Sequence, residues 1–282
     1  MDHSQEPLLA AYLWGVVMTS PDVSGLSEFY TDAMGYSGAF TDEGWKGWLS
    51  GRPLEIRDGV ANALDHVLFA VTDSGQLGAL RDRLAGAAIA VKNIVRPDMI
   101  GEALQFHDPD GNRLVFGVVE PGAETQGAGG PAARLQHLVY ASDEVPEMID
   151  FFCRVVGFAP TDTVLDGEDD LTSVFLRCSE EHHSLAVFRA PRKRLDHICY
   201  DVEDWLHIRN WADRFAERNI TLRWGPGRHG PGNNLFLFVN DPDGNWLEFS
   251  AELEQIKEAR PVRRWVHEER TLNSWGSALM RS

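Results

Sequence analysis

Apolar residues recur along the chain in two kinds of pattern, one typical of strands and one typical of helices. Residues 67–71 form a short apolar run, and residues 198–202 alternate between large apolar side chains and small or polar ones; both patterns are typical of β-strands. In residues 144–156 and 203–218, apolar side chains instead recur every three or four positions, as on one face of a helix. The predicted apolar face of the latter helix comprises Trp205, Ile208, Trp211, Ala212 and Phe215. The chain is therefore predicted to alternate strands with amphipathic helices.

The sequence contains an internal duplication. Residues 64–66 read Leu-Asp-His, and the same triplet returns 131 positions later at residues 195–197. Residues 108–112 read Asp-Pro-Asp-Gly-Asn, a turn sequence that returns 133 positions later at residues 241–245. Because the two offsets differ by only two residues, the halves are predicted to share one fold.

A weaker match predicts a further division of each half. Residues 13–36 and 135–158 both read as a strand followed by a helix, and both helices end near a glycine suited to a left-handed C-cap, Gly35 and Gly157. Four units of about 50 residues then form two α+β domains. The first domain is predicted to span residues 1–120, and a Gly/Ala/Pro-rich linker spans residues 120–133. The second domain is predicted to span residues 134–259, and residues 260–282 form a tail that packs back on the domains.

Composition and charge narrow the function. The chain has 43% hydrophobic and 24% charged residues, as expected for a globular protein, and its apolar runs are too short to span a bilayer. A net charge of −17 disfavours nucleic-acid binding, since phosphates would be repelled. The three cysteines have no CxxC spacing, which indicates a reduced compartment and a cytoplasmic location.

Three residues of the second half are candidate metal ligands. By the alternation of their strands, His137, His197 and Glu248 all belong to rows that face the interior. Two imidazoles and one carboxylate leave open positions on a metal and suit Fe(II) and chemistry on O₂. A single strand histidine is more often a core or surface residue, so the argument depends on finding all three together.

The first half lacks this set. His66 occupies the position of His197, but Gly15 stands in place of His137, and Val115 stands in place of Glu248. An apolar residue such as Val115 is the ordinary choice at that strand position, so Glu248 requires an explanation. We therefore predict a metal site in the second domain and a degenerate first domain.

Several motifs of the second half resemble those of a known family. Residues 229–248 contain His-Gly, Leu-Phe, Asp-Pro and Gly, and they end on Glu248. This run is similar to the signature of the type I extradiol ring-cleaving dioxygenases, the catechol 2,3-dioxygenase-like members of the vicinal oxygen chelate superfamily. Residues 182–186 and 270–276 also resemble segments of that family. The resemblance covers residues 10 to 275 and is most specific in the second half.

The resemblance implies a fold and a set of roles. The fold would be four βαβββ modules, two per domain, with each domain forming an open barrel. His137, His197 and Glu248 match the family's Fe(II) ligands, with Mn(II) also possible. His183 matches the histidine that serves acid–base steps beside bound oxygen, and His229 matches one that hydrogen-bonds the substrate region. The implied partners are a small aromatic diol, O₂ and further copies of the chain in a homo-oligomer.

One position departs from the family pattern. Phe238 stands where the family has a tyrosine whose hydroxyl hydrogen-bonds the substrate oxygens. Losing one positioned hydrogen bond costs about tenfold to a thousandfold in rate unless another group replaces it. The resemblance therefore places Phe238 at the substrate, and the change implies a replacement donor nearby, an altered substrate or a different reaction.

Two other functions remain open from the sequence. The same metal and scaffold could support hydroquinone-type ring cleavage, or an isomerase or lyase reaction. From a different class, a protein with nine tryptophans and Phe238 could bind an aromatic molecule without turnover.

Overall fold

The computed structural model describes residues 6–120 and 131–280. Residues 121–130, most of the predicted linker, therefore lie outside the described residues. None of the helices in the described ranges is long and apolar enough to cross a membrane.

Each half of the chain repeats the order strand, helix and three strands twice. The first half contains β1 Ala11–Ser20, α1 Val23–Asp32, β2 Ser37–Thr41, β3 Gly44–Leu49, β4 Arg52–Asp58, β5 Ala63–Val71, α2 Ser74–Gly86, β6 Lys92–Val95, β7 Met99–His107 and β8 Arg113–Val119. The second contains β9 Arg134–Ser142, α3 Val145–Asp150, β10 Ala159–Leu165, β11 Leu171–Arg177, β12 Leu185–Arg189, β13 Arg194–Val202, α4 Trp205–Glu217, β14 Trp224–Arg228, β15 Leu235–Asn240 and β16 Trp246–Ala251. β17 Arg263–Val266 and α5 Glu269–Leu272 follow.

The strands form two sheets, one from each half. The first has eight strands in the order β2-β3-β4-β1-β5-β8-β7-β6, and the second has nine in the order β14-β15-β16-β13-β9-β12-β11-β10-β17. The predicted α+β fold of repeated βαβββ modules is confirmed. Apart from β17, each sheet falls within one of the predicted domain ranges, whose boundaries stay a prediction.

The helices follow the sequence prediction with two differences. α3 continues over residues 151–156 as a π-helical segment and ends at Gly157, whose φ of 98° is left-handed as predicted. In α4, Ile208, Trp211 and Phe215 are buried, but Trp205 is 42% exposed. Trp205 is the first residue of α4 and packs edge-on against Trp275 of the tail rather than entering the core.

The two halves are tied together by buried hydroxyl groups. The hydroxyl of Tyr30 donates to Oδ2 of Asp241 at 3.1 Å, and the hydroxyls of Tyr36 and Tyr200 lie 3.1 Å apart. Each contact joins the first half to the second, and all four side chains are buried. The second half of the chain is therefore packed against the first through buried hydrogen bonds.

Strand register places corresponding residues of the two halves at corresponding points. His137 of β9 and Glu248 of β16 pair with the same residue of β13, from opposite sides. Gly15 of β1 and Val115 of β8 pair in the same way with Leu68 of β5. Gly15 and Val115 thus occupy the positions that the sequence comparison gave them.

Gly15 leaves no room for a side chain. A Cβ there would lie 2.8 Å from both Cγ and the carbonyl oxygen of Pro53. We expect Gly15→Ala to lower the free energy of unfolding by ~1–3 kcal/mol, because β1 and β4 must move apart to relieve the overlap. Urea denaturation of the variant measures the change.

A helical glycine supplies the matched control. A Cβ at Gly78, inside α2, would meet nothing within 4 Å. Gly78→Ala should therefore raise the free energy of unfolding by ~0.5–1 kcal/mol, since alanine loses less conformational freedom in a helix. Unchanged or increased stability in Gly15→Ala would contradict the steric argument.

Candidate metal centre

Three side chains converge from three adjacent strands of the second sheet. Nε2 of His137 and Nε2 of His197 each lie 3.2 Å from Oε2 of Glu248. The three residues lie on β9, β13 and β16, which are neighbours in the sheet, and each is at most 4% exposed. Two nitrogen donors and a carboxylate oxygen therefore point toward one another from a rigid base.

Both histidines are held through their other ring nitrogen. Nδ1 of His197 lies 2.8 Å from a carboxylate oxygen of Asp196, and Nδ1 of His137 contacts the side-chain oxygen of Gln136. Accepting partners at Nδ1 fix the proton there and leave the Nε2 lone pairs free, as in histidines that ligate metals. The donor set N, N, O with this outer support fits a divalent metal ion.

Electrostatics favours a cation at this point. Burial alone would raise the pKa of Glu248, but His137, His197 and His229 lower it well below its usual range, so the carboxylate is ionised. Burial lowers the pKa of His137. It acts in the same direction on His197, where Asp196 and Glu248 outweigh it and raise the pKa. A buried carboxylate facing two imidazoles is a costly arrangement that a bound cation would stabilise.

Cys199 also approaches the set. Its sulfur lies within 4.8 Å of the ligand atoms of His137 and Glu248. However, Cys199 is fully buried and is not among the described residues that line the adjoining cavity, whereas His197 lines it. Burial, followed by the charge of Glu248, raises the pKa of the Cys199 thiol well above its usual value. We therefore favour His197 over Cys199 as the third ligand.

The three candidate ligands line one cavity of the second domain. Its wall also includes the other residues that the sequence singled out: His183, His229 and Phe238. Much of the remaining wall is apolar, with Val139, Phe175, Phe188, Trp224, Leu272 and Leu279. All six predicted site residues are thus brought together around one space that suits an aromatic ring.

His229 approaches the centre from the loop after β14. Its Nε2 lies 3.4 Å from Oε1 of Glu248, its Nδ1 contacts the backbone oxygen of Leu272, and its ring stacks on Phe236 at 3.9 Å. Nδ2 of Asn234 donates to the same Oε1 at 3.2 Å. Asn234 was missed from the sequence because a lone asparagine before a strand has no distinguishing pattern.

His183 lies beside His137, with ring centroids 4.2 Å apart. Its backbone oxygen accepts a hydrogen bond of 2.7 Å from Nε2 of Gln136. Burial, together with the neighbouring His137 and His182, lowers the pKa of His183 well below its ordinary value. His183 is therefore neutral at pH 7, which a group that takes up a proton requires.

Phe238 lies against the metal ligands. Its ring packs edge-on against His197 at 5.2 Å and is stacked with Trp224 at 5.3 Å, and it pairs directly with Glu248 in the sheet. Only 1% of Phe238 is exposed. The missing hydroxyl therefore leaves an apolar wall next to the centre.

The tail completes the cavity. Thr271, Leu272 and Leu279 line it, and β17 extends the second sheet beyond β10. Trp265 of β17 donates from Nε1 to Asp162 at 2.7 Å. Trp275 stays 54% exposed, contacting Trp205 and Arg228. Leu279 was missed because no motif marks it.

In the first half, an ionic network lies beside the equivalent histidine. His66 keeps an aspartate partner, with Nδ1 2.8 Å from Asp65. Its Nε2 lies 3.5 Å from the guanidinium of Arg96, which is paired with Glu55 and Asp98. A protein cation thus lies next to the histidine at the position of His197, consistent with the predicted loss of the site.

Comparison with protein families identifies the second half. A model described as the Glyoxalase/Bleomycin resistance protein/Dioxygenase superfamily matches residues 134–249. The second half is thus similar to members of that superfamily. The matched segment includes all six predicted site residues, from His137 to Glu248.

Relatives of the whole chain are ring-cleaving dioxygenases by name, which confirms the resemblance seen in the sequence. Metapyrocatechase 2 of Cupriavidus necator is 25% identical, in an alignment that covers 91% of this chain and 86% of the relative. Biphenyl-2,3-diol 1,2-dioxygenase of Metapseudomonas furukawaii is 29% identical, in an alignment that covers 87% of this chain and 86% of the relative.

Solved structures share the fold over both halves. A Mn(II)-bound glyoxalase from Novosphingobium aromaticivorans has a TM-score of 0.81 and 25% identity, covering 95% of this chain and 91% of that one. Homoprotocatechuate 2,3-dioxygenase from Arthrobacter globiformis has a TM-score of 0.84 at 18% identity, covering 97% and 90%. Proteins of this group are metal-dependent, as the first of these structures illustrates.

Proposed function

We propose that this chain is an extradiol dioxygenase, an oxidoreductase that uses O₂ to cleave the ring of a catechol-type substrate at a non-haem Fe(II). The observation that carries the proposal is the convergence of His137, His197 and Glu248 beside a largely apolar cavity that also holds His183 and His229. The names of the full-length relatives support the same reaction.

The proposed ligands are His137, His197 and Glu248. Fe(II) bound there would polarise both oxygens of the diol and make electron transfer to O₂ possible. Fe(II) is preferred to Mn(II) because two imidazoles and one carboxylate form the donor set of non-haem iron oxygenases, although the Mn(II)-bound relative keeps manganese open.

The chain's own residues bind the ring and move protons. Phe238, Phe188 and Trp224 give the ring an apolar wall, while His229 is the candidate hydrogen-bonding partner for a substrate oxygen. His183, neutral at pH 7, accepts a hydroxyl proton and later returns it. The carbon–carbon bond beside the diol breaks, and both atoms of O₂ enter the product.

Three further parts of the proposal concern organisation. We place a degenerate domain at residues 1–120, the catalytic domain at 134–259 and a supporting tail at 260–282. Assembly as a homo-oligomer is supported by the family resemblance alone. A cytoplasmic location is supported by three buried cysteines that form no disulfide.

Oxygen uptake tests the proposal. The protein is loaded with Fe(II) without air and screened against substituted catechols on an oxygen electrode. One O₂ should disappear per ring cleaved. Tight binding of catechols without oxygen uptake would instead favour an aromatic-binding protein, and turnover only of hydroquinones or of isomerase substrates would favour another enzyme on this scaffold.

Restoring a tyrosine tests how the site manages without one. If His229 serves the substrate oxygen, Phe238→Tyr should change the rate on simple catechols only modestly, because the new hydroxyl duplicates a role already filled. His229→Ala should lower kcat/KM by about 10²–10³-fold. Steady-state oxygen uptake measures both.

The double variant completes this test. Phe238→Tyr should partly restore activity to His229→Ala, since the two groups would reach the same substrate oxygen. A nearly silent His229→Ala would remove His229 from the mechanism. Activity that exists only after Phe238→Tyr would mean that the natural reaction uses no catechol.

A further inference from the structure

A second buried histidine supports His183. Nδ1 of His182 lies 3.0 Å from Nδ1 of His183, and the side chain of His182 has no exposed surface. When two neutral imidazoles share one hydrogen bond, one nitrogen carries the proton and the other offers a lone pair. The contact therefore couples the tautomers of the two rings.

A fully buried carboxylate decides the direction of this coupling. Nε2 of His182 lies 3.3 Å from Oδ1 of Asp162, an ion-pair distance without the alignment of a good hydrogen bond. Asp162 also accepts hydrogen bonds from Arg260 at 3.0 Å and from Trp265 at 2.7 Å. These donors stabilise the ionised carboxylate, which has no proton to give and can only accept.

The consequence passes along the chain of contacts. With ionised Asp162 beside it, His182 carries its proton on Nε2 and presents a lone pair at Nδ1. His183 must then carry its proton on Nδ1, which it donates to His182. Its Nε2 keeps a lone pair, and His183 is a residue of the cavity wall.

We propose that Asp162 and His182 are positioning residues that set the tautomer of His183, leaving its Nε2 ready to accept a proton. The inference rests on the proposed function for its catalytic consequence alone. When the substrate O–H bond breaks and an N–H bond forms at Nε2, the positive charge on His183 is stabilised through His182 by the carboxylate of Asp162. Hydrogen-bonded histidine–carboxylate chains act in this way in other enzymes.

The tautomers can be measured without any reaction. Long-range ¹H–¹⁵N correlation spectra of the full-length, metal-free protein should show His183 protonated at Nδ1 and bare at Nε2, with the reverse in His182. Loss of one set of signals in His183→Phe assigns them. A His183 protonated at Nε2 would overturn the proposal, whether or not the protein proves to be a dioxygenase.

Asp162→Asn tests the cause. Its amide can donate to His182 and so reverse the order of protons along the chain. We expect the His183 tautomer to change and kcat to fall about 10²–10⁴-fold, with metal content unchanged and KM little altered. An unchanged tautomer would overturn the proposal, as would a fall in kcat that is matched by loss of metal.

Two variants distinguish an effect of the Asp162 carboxylate on the tautomer from a general effect of altered packing. Trp265→Phe removes one hydrogen bond to Asp162 but leaves its carboxylate, so the His183 tautomer should be retained. A changed tautomer in Trp265→Phe would show that altered packing alone changes it and would overturn the proposal. Asp65→Asn removes the carboxylate partner of a histidine in the first half, His66, and should leave kcat unchanged. Should Asp162→Asn fail to fold, the spectra of the natural protein still decide the tautomer.

Discussion

We expect Glu248→Ala to abolish stoichiometric metal binding and to leave the fold in place. The carboxylate is the one group that both Nε2 atoms of the candidate site face, at 3.2 Å each. Without it, only the two imidazoles remain as candidate ligands, and metal affinity should fall by more than about 100-fold, since even outer partners of ligands contribute 10–100-fold. His197→Ala should behave in the same way. Anaerobic titration with Fe(II), followed by metal analysis, measures the loss.

The first half provides the control. His66 occupies the position of His197 and also has an aspartate partner, but Gly15 and Val115 offer no further ligands. His66→Ala should therefore keep full metal content. Metal retained in Glu248→Ala, or lost in His66→Ala, would show that the site lies elsewhere in the chain.

His183→Ala should lose turnover and keep its metal. The side chain lies beside His137 and is not among the proposed ligands, and its lowered pKa keeps it neutral and able to accept a proton. Proton transfer by a positioned side chain contributes about 10²–10⁴-fold, so kcat should fall within that range. Metal analysis and oxygen uptake on the same preparation separate the two effects.

The outcomes for His183 are distinct. A variant that loses its metal would make His183 a ligand. One with full activity would leave it a buried histidine packed against Phe175. Phe175→Leu is a suitable control, because it changes the same packing without removing an ionisable group.

The fold and the convergence of His137, His197 and Glu248 could be predicted because their signals are local or repeated. The other three candidate site residues were predicted from the resemblance to family motifs: His183, His229 and Phe238. The triplet Leu-Asp-His at residues 64–66 and 195–197 aligned the halves, and strand alternation placed His137, His197 and Glu248 on interior faces. The comparison of the two halves then singled out Glu248, because its counterpart Val115 is an ordinary buried strand residue and a glutamate is not.

Contacts between distant residues could not be predicted in this way. Asn234, just before β15, reaches Glu248 on the neighbouring strand β16, and Asp162 reaches His182 through a sheet whose register the sequence does not give. Leu279 lines the cavity because the tail returns to it. Trp205 fits the helical pattern of α4, yet it is exposed. It is the first residue of the helix, and the buried face of α4 begins only at Ile208.

The most direct test of the central claim follows the oxygen atoms. The Fe(II)-loaded protein is supplied with a catechol that it consumes, in an atmosphere of ¹⁸O₂, and the product is analysed by mass spectrometry after rapid quenching. Extradiol cleavage predicts a ring-opened product in which one C–C bond of the substrate ring has been broken and both labelled oxygen atoms are present. An intact ring or a product without label would contradict the account.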